Sequence, residues 1–189
     1  MLSACLQGIV YPNKLVSQFK FGTDFVADFV AFGAFSGACC IHFVELEPPG
    51  EALFTKQGVA AKRFNGALAQ IAAWKAFVEK NRGEVLRELA KVFSQRELVF
   101  GRKGDELTDT TGMPIYDPDQ WIVWSYHVVI GRRDQLSKTE MGKKAAYQTQ
   151  ADVDIMTYDR LLNQAEAFDR NPTSGSYDRP YPKVRLSDL

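Results

Sequence analysis

Apolar runs, strict alternation and recurrence every third or fourth residue follow one another along this chain, and each pattern predicts a different element. From Phe25 to Gly33 phenylalanine and valine dominate, the composition of a strand. Ser36-Gly37 offers a turn, and Ala38–Leu46 forms a second strand that Pro48-Pro49-Gly50 must end, because proline cannot donate to a sheet ladder. Together they predict a hairpin deep in a sheet. Between Ala60 and Lys80, Phe64, Ala67, Leu68, Ile71, Lys75 and Val78 recur at helical spacing, all apolar except Lys75. Asn81-Arg82-Gly83 is expected to end that helix, and Val85, Leu89 and Val92 mark a second one.

Further along, Glu97–Gly101 reads as a short strand, and Lys103–Asp119, with two glycines and two prolines, as a long loop. Trp121–Ile130 is the most strand-like run of the chain and stops at Gly131-Arg132-Arg133. Asp134–Gln150 is polar and basic and is expected to mix helix with loop. Val153–Thr157 predicts a short strand, and Asp159 is placed to cap a final helix carrying Leu161, Leu162, Ala165 and Phe168. The first twenty residues are ambiguous, since Pro12 and Asn13 interrupt any long helix. From Asn171 onward Pro, Ser, Gly and Tyr predict an extended tail, so the chain divides into a domain over 1–170 and a tail over 171–189.

With 189 residues, the chain has the size of one domain with its own core. Its 23 Lys+Arg balance 23 Asp+Glu, so no global field draws it to nucleic acid and any DNA contact must come from a local basic patch. Cys5 and the adjacent Cys39 and Cys40 make no disulfide framework, because strand neighbours point to opposite faces. Their odd number suggests reduced thiols in a cytoplasmic protein. Two histidines argue against zinc chemistry built on histidine clusters. No run approaches the apolar length of a membrane span, and Met1–Val10 lacks the basic start of a signal peptide, so no membrane partner is expected. Walker-type loops, dinucleotide fingerprints and nucleophile-elbow patterns do not appear.

Candidate chemistry collects around three carboxylates. Alternation along Ala38–Leu46 puts Ile41, Phe43, Glu45 and then Glu47 on one face, with His42, Val44 and Leu46 on the other. Asp28 lies in the preceding strand, where a hairpin lets it approach Glu45. Such a cluster needs a cation to relieve like-charge repulsion, and hard oxygen ligands favour magnesium or manganese. Either ion can acidify and orient a water and neutralise charge on a phosphate. Gln70, on the helix that follows, has an amide suited to holding that water or a phosphate oxygen, and Arg63 lies on nearly the same face. Taken singly these residues are ordinary, because strand-end acids are commonly solvated and a helical glutamine is commonly a surface residue. Their order carries the argument: Asp in a strand, Glu-x-Glu ending the next, then a helix bearing Gln.

Ala27-Asp28-Phe29-Val30, Val44-Glu45-Leu46-Glu47-Pro48 and Ala67-x-x-Gln70-x-x-x-Trp74 in that order resemble the nuclease domain of Shedu-type bacterial immune proteins. Leu53-Phe54-Thr55, Ile130-Gly131-Arg132-Arg133 and Thr157-Tyr158-Asp159 extend the likeness over roughly residues 15 to 168. The resemblance implies an α/β, restriction-endonuclease-like PD-(D/E)xK core: a central mixed sheet flanked by helices. It also implies an anti-phage DNA endonuclease dependent on magnesium or manganese, with DNA as partner and homo-oligomeric assembly. Asp28 and Glu45 would then be metal ligands, and Gln70 would complete the site.

One position departs from that pattern. The usual lysine two residues after the ligand glutamate is Glu47 here, which inverts the charge that would stabilise the attacking hydroxide. Three explanations compete: Glu47 binds a second metal ion, Lys56 or Lys62 reaches in from elsewhere, or the fold is kept for binding or assembly without catalysis. No acid precedes Asp24, which is itself either an extra ligand or a turn former. Arg132, Arg133, Lys138, Lys143 and Lys144 concentrate positive charge that suits phosphate contacts or a solvated face equally well. Trp121, Trp124, Tyr126 and His127 are expected to pack, and Trp74 to anchor its helix.

Overall fold

The computed structural model describes residues 14–35, 37–99, 104 and 106–170; Cys5, Ser36, Gly101 and the predicted tail over 171–189 lie outside the described residues. Five strands form one mixed sheet in the order β1 (Lys14–Phe21), β2 (Phe25–Phe35), β3 (Ala38–Leu46), β4 (Trp121–Val129) and β5 (Asp154–Met156). β1, β2 and β3 are antiparallel neighbours, whereas β4 and β5 run parallel to β3. Helix α1 (Lys62–Lys80) follows β3, and α2 (Arg82–Gln95) follows α1. A single 3-10 turn, Arg133–Gln135, precedes α3 (Lys138–Ala151), and α4 (Tyr158–Arg170) follows β5. The mixed sheet flanked by helices is thus present. Among the described residues no helix is long and apolar enough to cross a membrane.

The larger core lies between the sheet and the first two helices. Phe64, Ala67, Ile71, Trp74 and Val78 are the buried stripe of α1, and Val85, Leu86, Leu89 and Phe93 that of α2. Trp74 anchors its helix by meeting the Phe21 ring edge-on at 5.8 Å and the Phe43 ring at 6.2 Å. Lys75, the polar exception in the α1 pattern, donates from Nζ to the carbonyls of Ala151 and Asp152 and pairs with the Asp152 carboxylate at 3.0 Å. It therefore caps the last turn of α3, where a cation also complements the helix dipole. On the opposite sheet face Leu15, Ala31, Val44, Val129, Met156 and Leu161 form a smaller core.

Several sequence expectations need correction. The ambiguous first twenty residues contain all of β1 but Phe21, and the strand's apolar alternation is broken: Val16, Phe19 and Phe21 share the helix-side core while Leu15 enters the other. β2 breaks in step, with Ala27 and Val30 both on the helix side. Register is kept, as Ser17 pairs with Phe29 and Phe19 with Ala27, so the sheet is creased at Gln18 and Asp28, and Gln18 holds a φ of 50°. Asn81 ends α1, but Arg82 and Gly83 already belong to α2. Residues 97–99 form no strand; Val99 makes one backbone hydrogen bond to the Leu15 carbonyl. Trp121, expected to pack, is 69 % exposed: alternation puts it on the sheet face of Val129, whose core gathers around Met156 and Leu161 at the other end of β4. Asp159 lies within α4, and its carboxylate is bound by Arg132 and the Arg133 amide. Cys39 and Cys40 are free and buried.

The strand ends that carry the candidate site are tied together at Gly131. Its φ is 63°, and a Cβ there would stand 2.5 Å from the Glu51 carbonyl oxygen and 2.9 Å from Leu53 Cδ1. Gly112 has a φ of 91° but open space around it. Gly131→Ala should therefore lower unfolding free energy by more than the roughly 1–3 kcal/mol of left-handed strain alone, and Gly112→Ala by that strain only. Denaturant unfolding of the two variants measures the difference.

Candidate active site

Because β3, β4 and β5 are parallel, their C-terminal ends open on the same side of the sheet, the place where α/β proteins commonly bind ligands. Three contacts stitch these ends. The Glu47 amide donates to the Val129 carbonyl at 2.8 Å, the Tyr158 amide to the Gly131 carbonyl at 3.1 Å, and the Tyr158 hydroxyl to the Glu47 carbonyl at 2.9 Å. Arg132 joins in through Nε and Nη2 hydrogen bonds to Asp159 of 3.0 and 2.8 Å. Those bonds hold the Asp159 carboxyl down at about 2.

Asp28 reaches this end of β3 from the crease in β2. Its Oδ2 accepts the Leu46 backbone N–H at 2.8 Å, and its Oδ1 accepts from Gln18 Nε2 at 2.9 Å. Both oxygens are thereby oriented, and the carboxylate is set beside Glu45. Glu45 is half-buried and its carboxyl is pushed up to about 8, first by burial and then by the charges of Asp28 and Glu47, while a hydrogen bond from Gln70 pulls the other way. Burial also raises Glu47, with Glu51 and Asp28 adding to the shift and Arg63 opposing it. Asp28, Glu45, Glu47 and Gln70 are therefore brought together as the order of residues suggested.

Helix α1 forms the facing wall. Glu47, Lys62, Arg63, Gly66 and Gln70 line a cleft of about 440 Å³. Arg63 approaches Glu47 at 3.7 Å and Glu51 at 3.9 Å with its side chain 61 % exposed, loose pairs that solvent screens. Ala61 gives α1 no side-chain cap, and its first turn holds Lys62 and Arg63 but no acid. Of the two lysines weighed as substitutes at Glu47, Lys62 lines this cleft and Lys56 does not. Asp24 sits in the exposed turn between β1 and β2, bonded to the Thr23 hydroxyl at 2.9 Å.

The basic residues after β4 are partly engaged. Lys143 donates to the Gly58 carbonyl, and Lys144 to the Ile155 carbonyl and Gln148 at 2.6 Å each. Arg133 and Lys138 are exposed. His127 is buried and lies 3.0 Å from His42 and 3.6 Å from Asp154, a packed polar cluster at the sheet rather than part of the carboxylate site. Sequence reasoning missed Gln18, Tyr158 and Gly66 as parts of the site. Gly66 left a signal as a glycine in the midst of an otherwise regular helical pattern, and Tyr158 as the centre of Thr157-Tyr158-Asp159.

Among the described residues no three His, Cys, Asp or Glu side chains are grouped to enclose a metal ion by themselves. Asp28 and Glu45 nevertheless offer the donor set that magnesium commonly uses, one or two carboxylates with waters and substrate phosphates completing the shell. Burial first, and then the charges of Asp28 and Glu47, raise the Glu45 carboxyl, and a bound cation would bring it back down.

No curated protein matches the chain. A family model, described as the C-terminal part of the Shedu protein SduA, matches residues 5–162. That span runs from ahead of β1 into α4 and takes in the carboxylates, the cleft and the stitched strand ends, so the chain belongs to the Shedu family, which points to a role in anti-phage defence.

Proposed function

We propose that the cleft is the active centre of a restriction-endonuclease-like, PD-(D/E)xK DNA endonuclease that hydrolyses phosphodiester bonds with a divalent metal ion. The observation that supports this reading best is the placing of Asp28, fixed by the Leu46 amide at 2.8 Å and by Gln18 at 2.9 Å, beside half-buried Glu45, which Gln70 of the facing helix bonds. An arrangement that keeps like charges together is costly unless a cation joins them. Asp28 and Glu45 would hold magnesium or manganese, which, when bound, acidifies a water and neutralises charge on the phosphate.

The chain's own residues divide the remaining work. Gln70, bonded to Glu45, orients the attacking water through its amide. Arg63 leaves its loose pairs with Glu47 and Glu51 for a phosphate oxygen, where its planar fork binds better. Lys62 brings to the cleft the positive charge that Glu47 lacks. Tyr158 holds the Glu47 main chain in place. Arg133, exposed after β4, adds a phosphate contact along the DNA, whereas Arg132, Lys143 and Lys144 do so only by giving up bonds to Asp159, Gly58 and Ile155, and the family resemblance adds homo-oligomeric assembly.

A second reading, a nuclease-fold module that binds nucleic acid without cutting it, draws on Glu47 standing where lysine is usual. Cleavage assays separate the two. Supercoiled and linear DNA should be cut with magnesium or manganese and not with EDTA, and Glu45→Ala should lower the rate by about 100-fold or more. Full activity in Glu45→Ala contradicts the nuclease site. DNA binding by the folded wild type with no cutting under any condition favours the module.

Stability offers an independent check in metal-free protein. Folded Glu45 keeps its proton up to about 8, whereas the unfolded chain releases it near 4.5, so the native state binds more protons between those values. Folding stability should therefore fall as pH rises across that window. Glu45→Gln should flatten the dependence, and at pH near 8 magnesium should raise the Tm of the wild type but not of Glu45→Gln. Thermal unfolding followed by circular dichroism reads both effects.

A further inference from the structure

Gly66 stands inside α1 with no structural need to be glycine. It occupies the middle of the first half of the helix, where glycine is the poorest former after proline. A Cβ on it would meet nothing within 4 Å, and its φ is not in the left-handed region. Packing and backbone conformation therefore both allow alanine. The residue is exposed, and it lines the cleft between Lys62 and Gln70, one turn from each. A glycine that the fold does not use, on the wall of a charged cleft, is what close approach of a ligand to a main chain requires.

We propose that the Lys62–Gly66–Gln70 face of α1 is the seat of the DNA strand, with Gly66 left bare so that the sugar-phosphate backbone lies directly on the helix. This rests on the nuclease reading above and deepens it. The ridge from Lys62 to Gln70 spans about 12 Å at the helical rise, enough for three to four nucleotides at about 3.4 Å per step. Lys62 and Arg63 give one end a positive charge for a flanking phosphate, and Gln70 leads at the other end to Glu45. The strand lying over Gly66 would thus be positioned with one phosphodiester at the carboxylates. Gly66 acts as a positioning residue, by the absence of a side chain.

The test compares Gly66→Ala and Gly66→Leu with Gly142→Leu, since Gly142 in α3 has equally open surroundings and does not line the cleft. Duplex DNA labelled with a fluorophore, with calcium replacing magnesium, gives affinity by anisotropy; magnesium assays give kcat/KM, and thermal unfolding gives Tm. Gly66→Ala should keep or raise Tm while weakening DNA binding. Gly66→Leu should bind more weakly still and lose about 100-fold in kcat/KM, the scale of a misplaced reacting group. Gly142→Leu should match the wild type in binding. Lys62→Ala and Arg63→Ala should each reduce the salt slope of binding by about one. If Gly66→Leu binds and cuts like a wild type that is itself active, the seat is wrong and the nuclease reading stands. A fall in Tm for Gly66→Ala would show that the fold needs the glycine, which also overturns the proposal. A folded wild type that neither binds nor cuts DNA removes the nuclease reading and the seat together.

Discussion

Like charges gathered at one strand end set the terms for the rest of this structure. Asp28, Glu45 and Glu47 converge at the C-terminal end of β3, where burial first and then the charges of Asp28 and Glu47 raise the Glu45 carboxyl. What holds Asp28 in place is a backbone donor, the Leu46 amide, which at the end of the β2–β3 pairing bonds to the carboxylate. A buried or half-buried carboxylate bonded in this way is fixed in position as well as partly solvated by the protein. The crease at Gln18 and Asp28 is the geometric condition for that bond, because it turns Asp28 out of regular alternation and toward β3.

The surrounding elements make the arrangement rigid on one side and accessible on the other. Parallel pairing brings the ends of β4 and β5 next to β3, and hydrogen bonds from Glu47 and Tyr158 lock the three together. Gly131 lets the Glu51 main chain approach closely enough to close that end. Across the cleft, α1 is held by Phe64, Ile71 and Trp74 on its buried face and presents Lys62, Arg63, Gly66 and Gln70 on the other. One helix thus serves both the hydrophobic core and the wall of the site, which keeps the distance between wall and carboxylates constant.

Much of this was legible in the residues. Phenylalanine and valine composition marked β2, the turn at Ser36-Gly37 and the prolines after Glu47 bounded β3, and the 3.6-residue recurrence through Phe64, Ile71 and Val78 marked α1. Glu45, Glu47 and Gln70 were readable as candidate site residues because a strand of period two and a helix of period 3.6 place them on facing surfaces. β1 was not legible, since the crease puts Val16 and Phe19 on one face three residues apart and imitates a helical spacing. Trp121 looked like a core residue by type, but the face it stands on is covered only toward the other end of β4, which no local pattern announces. Asp159 was readable as a polar residue at a helix start, but its partner Arg132 follows a different strand. Local periodicity therefore reports which face a residue takes; what covers that face is decided by chain segments far away.

The direct test of the account is where a divalent ion sits. Crystals grown near pH 8 and soaked in manganese should show an anomalous peak about 2.1 Å from oxygens of both Asp28 and Glu45, with Gln70 beside the ion's waters. An ordered manganese elsewhere, or none beside a well-ordered Asp28 and Glu45, would contradict it.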